Sequence, residues 1–365
     1  MILSSYTPSL FWFRADMMKD MISKGCTVIA IGQESEEKWK SKFFEIGVEY
    51  SSIFVVRNEI NPINDLKSFI SIYKCLRKYK PDKLFVYQAK TIIYGATAAR
   101  LLGIKNIYIL FAGLGSILRG NSLFAGLIKL IVKTQYFIVC KFEKKVFFQN
   151  KDDLAVFINN NIVNDKKTVI INGSGVNLEK FIPTPLPKVT SFLFVGRLLK
   201  DKGIIEYLEA CKIVKKTHSN VRCLLVGPFD SNPTAITEQE LHKYIDEKVI
   251  EYMGETSDVR PYLNACCVFV LPSYHEGTPK SILEAMATER AIITTDAPGC
   301  RETVINNISG FLVPVNNIEV LAEKMIYLIE HPDVLRSMAK KSLELCKEKY
   351  DVVKVNNSIL NEMEI

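Results

Sequence analysis

The stretch "HEGTPKSILE", residues 275–284, places Glu276 and Glu284 eight positions apart around Gly277, Thr278 and Pro279. Two carboxylates so placed could act as an acid and a base, or could accept hydrogen bonds from the hydroxyls of a ligand. Thr278 before Pro279 predicts an N-cap and a first helical residue, with the helix running on through "KSILEAMA". The leading N–H groups and the dipole of such a helix suit a phosphate. Glu284 falls about one and a half turns in, on the face that carries Lys280 and Ser281 and among Ile282, Leu283, Ala285 and Met286. A carboxylate there needs polar partners. The two hydroxyls of a ribose would serve; so would an ion pair with Lys280 or a position facing solvent. A second cluster is "FLFVGRLLKDKG", residues 192–203, where an apolar strand ends at Gly196 and is followed by Arg197 and then Lys202. A guanidinium fork and an ammonium at a strand's end can grip a diphosphate, although the same residues would also make an ordinary solvated turn. The segment is neither a Walker A loop nor a G-x-G-x-x-G.

Strand and helix patterns alternate around these clusters. Apolar, β-rich runs occur at 27–32, 52–56, 83–88, 106–111, 145–150 and 167–173, with a helical pattern at 64–80 that ends in a basic turn before Pro81. After the proline-rich loop "FIPTPLPKVTS" (181–191) a second series of runs occupies 192–196, 222–227, 249–254, 268–273, 291–296 and 310–314. Alternation of this kind implies parallel sheets covered by helices. Two doubly wound α/β domains with a cleft between them are expected, with ligands outside the carboxyl ends of the strands. The expected boundaries are 1–182, 183–345 and a helical segment 346–365 that packs back on the first domain.

The chain has 365 residues, enough for two cores. Its nine cysteines are scattered without a C-x-x-C pair, which argues against a disulfide framework or a zinc site and for a reducing, cytoplasmic compartment. No basic segment followed by an apolar one opens the sequence, so no signal peptide is expected. The net charge of +7 is uneven: residues 1–187 carry 26 Lys and Arg against 15 Asp and Glu, and residues 188–365 carry 21 against 25. A basic half with apolar runs suggests an anionic partner, or serves solubility alone. The run 117–145 mixes Leu, Ile and Phe with Arg119, Lys129, Lys133, Lys141, Lys144 and Lys145. Lys129 and Lys133 interrupt it too often for a spanning helix. It is either a basic amphipathic helix on an anionic membrane or a core helix with a basic outer face. Near the start Phe11, Trp12 and Phe13 precede Arg14; core packing is expected for at least two of the aromatics. No nucleic-acid recognition module accompanies the basic residues.

With "LPSYHEGTPKSILEAMA", "FLFVGRLLKDKGIIEYLEA", "QNKDDL", "INGSGVN" and "DAPGCRETV…GFLVP" in this order, the sequence resembles the retaining glycosyltransferases of family 4, which have the GT-B fold of two Rossmann-like domains facing a central cleft. The spacing of Glu276 and Glu284 is that family's E-x-seven-E motif, and "GSGV" with the early "FR" resembles its capsule and O-antigen subgroup. The resemblance implies that Arg197 and Lys202 neutralise the donor diphosphate without a metal or other cofactor. Glu276 would contact the transferred sugar beside Gly277, Thr278 and Pro279. Glu284 would hold the ribose, with Lys280, Ser281, Gly196 and Gly227 also on the donor and the "MGETSDV" loop (253–259) near the base. Many relatives carry His-Gly where this chain reads "LFAGLGS", so Ala112 departs from the pattern and leaves Gly113 and Gly115, with Arg14, as acceptor candidates. The implied activity is transfer of an N-acetylhexosamine from a UDP-sugar to a polyprenyl-diphosphate-linked saccharide, by a peripheral enzyme on the inner face of the plasma membrane and without nucleic acid. The alternatives are another nucleotide sugar, a soluble acceptor, or a silent nucleotide-sugar-binding subunit.

Overall fold

The structure, a computed structural model, describes residues 1–57, 61–113 and 123–365. It divides into two compact units, Met1–Ser174 with Val355–Ile365, and Gly175–Lys354. The first division thus falls at Ser174/Gly175, ahead of the proline-rich loop. The second falls at Lys354/Val355, nine residues after the 345/346 position read from the sequence.

Among the described residues unit 1 holds seven strands: β1 (Ile2–Leu3), β2 (Ile29–Gly32), β3 (Glu49–Ser52), β4 (Lys83–Tyr87), β5 (Asn106–Phe111), β6 (Lys145–Phe148) and β7 (Thr168–Ile170). They form one sheet in the order β3-β2-β1-β4-β5-β6-β7, and every pairing is parallel. Its helices are α1 (Thr7–Ser23), α2 (Glu36–Phe44), α3 (Pro62–Tyr79), α4 (Ala89–Leu101), α5 (Leu123–Phe142) and α6 (Lys151–Asn159). Both faces of the sheet are buried, which is why its strands read as unbroken apolar runs. Leu3, Leu84, Val86, Ile107 and Ile109 pack toward Ile72 and Leu76 of α3, Ile92 and Ala96 of α4, and Tyr136 and Val139 of α5. On the opposite face Ile2, Phe85, Tyr87, Tyr108 and Phe147 pack with Leu10, Met17 and Met18 of α1. Val355, Ile359, Leu360 and Met363 complete that second core.

Two strands differ from the sequence reading. β1 has two residues, too few to show any periodicity. The run 52–56 meets the ladder only at Ser52; Ile53 and Val55 lie beyond the strand, yet both are buried, because the apolar run fills the core rather than extending the sheet.

Unit 2 repeats the plan with six parallel strands, β8 (Ser191–Val195), β9 (Arg222–Val226), β10 (Glu251–Tyr252), β11 (Val268–Leu271), β12 (Ala291–Thr295) and β13 (Gly310–Val313), in the order β10-β9-β8-β11-β12-β13. Its helices are α7 (Ile204–Thr217), α8 (Glu238–Asp246), α9 (Arg260–Asn264), α10 (Lys280–Ala287), α11 (Ile318–Glu330) and α12 (Pro332–Leu345). The chain re-enters unit 1 within α13 (Val352–Glu362). In each sheet the strand order reverses next to the first strand, between β1 and β4 and between β8 and β11. Such reversals leave a crevice at the carboxyl ends of the strands where ligands bind. None of the nine cysteines is in a disulfide. Among the described residues no helix is long and apolar enough to cross a membrane.

Candidate functional site

At the β8/β11 reversal two loops are tied together. The Asp201 carbonyl accepts hydrogen bonds from the Tyr274 N–H (3.0 Å) and the Ser273 hydroxyl (3.2 Å). Tyr274 donates its phenol to Glu206 at 2.5 Å. Gly203 makes the approach possible: its φ is +74°, and a Cβ there would lie 2.1 Å from the Pro272 carbonyl oxygen. Lys202, just before it, reaches across and donates to the Glu276 carboxylate. The Glu276 backbone N–H is held by the Pro298 carbonyl at 2.9 Å. Gly299 backs the same loop so closely that a Cβ would sit 2.2 Å from the Glu276 carbonyl oxygen.

Arg197 pairs with Asp230 at 2.9 Å. Gly196 and Gly227 touch backbone to backbone, leaving no room for a side chain on Gly227. Each diphosphate-clamp candidate therefore has a carboxylate partner, Glu276 for Lys202 and Asp230 for Arg197. The pairing with Asp230 was not foreseen; that residue lies 33 positions after its partner in a loop without periodicity.

The helix carrying Glu284 begins one residue later than expected. Pro279 is the N-cap, with φ −72° and ψ 109°, and it offers no side-chain acceptor; Thr278 is not the cap. The ψ of Pro279 is extended rather than helical, so the helix starts only after it, at Lys280. Gly277 and Pro279 are buried, while Thr278, Lys280 and Ser281 are partly exposed. Around Glu284, Ile282, Leu283, Ala285 and Met286 are fully buried. Its carboxylate makes no hydrogen bond or close ion pair among the described residues, so the alternative of an ion pair with Lys280 is not what the structure holds. Glu284 is only partly exposed at its edge, and burial pushes its pKa up to about 7. Lys280 and Lys180 pull it back, and Asp258 pushes it further. Asp258, in the 253–259 loop, is fixed by the Arg260 guanidinium at 2.8 and 2.7 Å, which holds its own pKa down to about 2. Lys180 escaped the sequence reading because it lies far from the motif in sequence; the loop of Asp258 was read as near the base, but not the closeness of that residue to Glu284. Among the described residues no three His, Cys, Asp or Glu side chains converge as a metal site.

Unit 1 has its own constellation at the β1/β4 reversal. Gln88, directly after β4, has φ +73° and ψ 141°, a conformation nearly confined to glycine. Its carboxamide oxygen accepts from the Ser5 N–H (2.9 Å), the Ser5 hydroxyl (2.7 Å) and the Ser4 hydroxyl (2.9 Å). Ser9 continues the network to the Tyr87 phenol at 3.0 Å. Arg14 lies two turns into α1 and is 2% exposed. Its guanidinium carbon is 5.7 Å from the centres of both the Phe85 and the Tyr87 rings. Of the aromatics before it, Phe11 packs against Trp39 and Phe43, whereas Trp12 and Phe13 are exposed; one, not two, joins the core. Gly113 follows β5 with φ +134°, beside an exposed Ala112. Gly115 and Arg119 lie outside the described residues.

Residues 178–344 match the family model for glycosyl transferases, group 1. The chain is 28% identical over 356 residues to the N,N'-diacetylbacillosaminyl-diphospho-undecaprenol alpha-1,3-N-acetylgalactosaminyltransferase of Campylobacter jejuni, a match covering 94% of this chain and 92% of that relative. It is 29% identical over 310 residues to the UDP-Gal:alpha-D-GlcNAc-diphosphoundecaprenol alpha-1,3-galactosyltransferase of Escherichia coli, covering 81% and 78%. A glycosyltransferase from Rickettsia africae superposes with a TM-score of 0.80 at 21% identity, covering 100% of this chain and 97% of its own. The Anabaena protein HepE in complex with UDP and glucose gives 0.80 at 16% identity, covering 100% and 98%. The fold is GT-B, with two Rossmann-like units.

Proposed function

We propose that this chain is a retaining glycosyltransferase that moves an N-acetylhexosamine, GalNAc or GlcNAc, from a UDP-sugar to a polyprenyl-diphosphate-linked saccharide in the building of a bacterial surface glycan. The observation that carries the reading is Glu284. A partly exposed carboxylate, flanked along its helix by buried apolar residues and without a hydrogen-bond donor among the described residues, sits in a helix that starts without a side-chain cap, at the reversal of unit 2. Two ribose hydroxyls supply the donors it lacks, and the helix start favours the adjoining phosphates. The relatives named above act on diphosphoundecaprenol-linked sugars, which supports the acceptor class.

Arg197 and Lys202 then serve the diphosphate. As it arrives, each cation exchanges a carboxylate for phosphate oxygens, and Glu276 is released toward the hydroxyls of the sugar. Fixed cations aimed at the leaving group stabilise the charge that develops when the C1–oxygen bond breaks, which is the contribution a metal ion makes elsewhere. The electron pair of that bond goes to the diphosphate oxygen. The acceptor hydroxyl bonds to C1 on the same face and gives its proton to that leaving oxygen, so the configuration is kept.

The acceptor's lipid calls for a membrane surface. The outer face of α5 exposes Leu130, Ile131, Phe137, Ile138 and Phe142 beside an exposed Lys141. Its inner face buries Tyr136, Val139 and Cys140. The helical layer continues to α3, where Ile63, Leu66 and Ile70 are exposed at helical spacing. An apolar stripe flanked by lysines suits an anionic bilayer on the cytoplasmic side, which supports a peripheral position there.

The test is turnover of UDP-N-acetylhexosamine with a lipid-linked sugar, with GDP and CDP sugars as controls. UDP release and a product of retained configuration are expected, unchanged by EDTA. Glu284→Ala and Arg197→Ala should each weaken UDP by about tenfold, roughly the worth of one or two charge-assisted hydrogen bonds. Turnover abolished by EDTA would overturn the metal-free clamp, and preference for another nucleotide would overturn the donor.

A further inference from the structure

Arg14 presents a charge with no counterion among the described residues. Its Nε and Nη1 nitrogens are enclosed and have no hydrogen-bond acceptor among the described residues. Guanidinium stays protonated in proteins, so the residue buries a full positive charge. The Phe85 and Tyr87 rings offset part of the cost through their faces, but a ring accepts neither N–H. A buried ion without an ionic partner is strongly unfavourable, and α1 could have placed a methionine here as it does at Met17, Met18 and Met21.

The position is also built. Tyr87, against which the guanidinium lies, is joined through its phenol to Ser9, and through Ser9 and Ser4 to the Gln88 carboxamide. That network fixes the β1–α1 loop at the reversal of the unit 1 sheet, and it retains a strained backbone at Gln88 to do so. Strain of this sort persists where surrounding structure enforces it, and it clusters at ligand sites.

We propose that Arg14 is the receptor for a phosphate-type oxyanion at the strand reversal of unit 1, and that the anion belongs to the diphosphate of the lipid acceptor. The identity of the anion rests on the function proposed above. Unit 2 already carries Arg197, Lys202 and an uncapped helix for the nucleotide, so the separate cation of unit 1 answers to the other substrate. An N–H of a guanidinium suits a charge-assisted contact to a phosphate oxygen.

The experiment compares full-length wild type with Arg14→Met and Arg14→Lys. Farnesyl diphosphate and inorganic pyrophosphate are titrated by thermal shift and calorimetry on protein saturated with UDP, so that the unit 2 cations are occupied. Both probes should bind wild type and weaken at least tenfold in Arg14→Met, with partial recovery in Arg14→Lys. The UDP Kd should change less than twofold. Arg14→Met without ligand should melt at or above the wild-type temperature, because an uncompensated charge has been removed. In turnover, the acceptor KM should rise and the UDP-sugar KM should not.

A lower melting temperature in Arg14→Met with unchanged diphosphate binding would make Arg14 structural and overturn the proposal. So would weakened UDP with intact pyrophosphate binding, which would assign the anion to the donor. The titrations need no turnover. Diphosphate binding that depends on Arg14, in a protein that transfers to no lipid-linked sugar, would therefore support the oxyanion site while overturning the functional reading.

Discussion

Glu284 ties stability to binding. A carboxyl held at about 7 when folded titrates near 4.5 when unfolded, so the native protein binds the extra proton between those values. Its burial is therefore least costly in acid, and stability is lost as pH rises through about 7. The full cost above pH 7 is up to about 3 kcal/mol. Glu284→Gln should match wild type in Tm at pH 5 and exceed it at pH 8, by differential scanning calorimetry. A ribose that donates to the carboxylate prefers the ionised form. Wild-type affinity for UDP should thus rise about tenfold from pH 6 to pH 8 relative to Glu284→Gln, as the ionised fraction grows. Equal pH profiles in the two proteins would remove the ribose assignment. This carboxylate was visible in the sequence as a charge inside an apolar helix. Arg14 carried the same signal: Leu10, Arg14, Met17, Met18 and Met21 recur at helical spacing, and the arginine occupies a core position of that stripe. What could not be read was the pairing of Lys202 with Glu276 and of Arg197 with Asp230, since each depends on which loops the sheet order brings together.

At the scale of elements, the site is set by where strands end. The runs that became β8, β9, β11, β12 and β13 were legible because both faces of the sheet are buried. β1 was not, having two residues of ladder. The turn into α7 depends on Gly203, so Gly203→Ala should cost about 1–3 kcal/mol in chemical denaturation through strain at positive φ. It should also weaken UDP by displacing Lys202; unchanged UDP affinity would separate the turn from the site. For α5, the sequence left a choice between a core helix and a membrane face. The exposed Leu130, Ile131, Phe137 and Ile138 add an apolar outer face that periodicity alone did not reveal. Ile131→Glu with Ile138→Glu should reduce sedimentation with phosphatidylglycerol vesicles by about tenfold or more, from lost apolar burial and added repulsion. The melting temperature should be unchanged, because both side chains already face outward. Equal sedimentation would remove α5 from the membrane footprint.

For the molecule as a whole, the division into units does not follow the order of the chain. Val355–Ile365 is part of unit 1: Asn356 donates to Asp20 at 2.7 Å, the Tyr108 phenol donates to the Met363 carbonyl at 3.1 Å, and Lys144 pairs with Glu364 at 2.7 Å. Ile359 and Leu360 are fully buried there. A protein ending at Lys354 should retain UDP binding in unit 2 and expose the core of unit 1, read as new binding of a hydrophobic dye beside a UDP thermal shift. Loss of both together would show that the units fold as one. The sequence pointed to a returning helix on the first domain, but which face of that unit's sheet it covers is decided by long-range packing. The same arrangement has a consequence on the ribosome. Domains generally fold in the order in which they are made. Here translation must pass through all of Gly175–Lys354 before it reaches the segment that closes unit 1. The half of the protein that is synthesised first is finished last, and until then its open flank is one that a nascent-chain chaperone would have to shield.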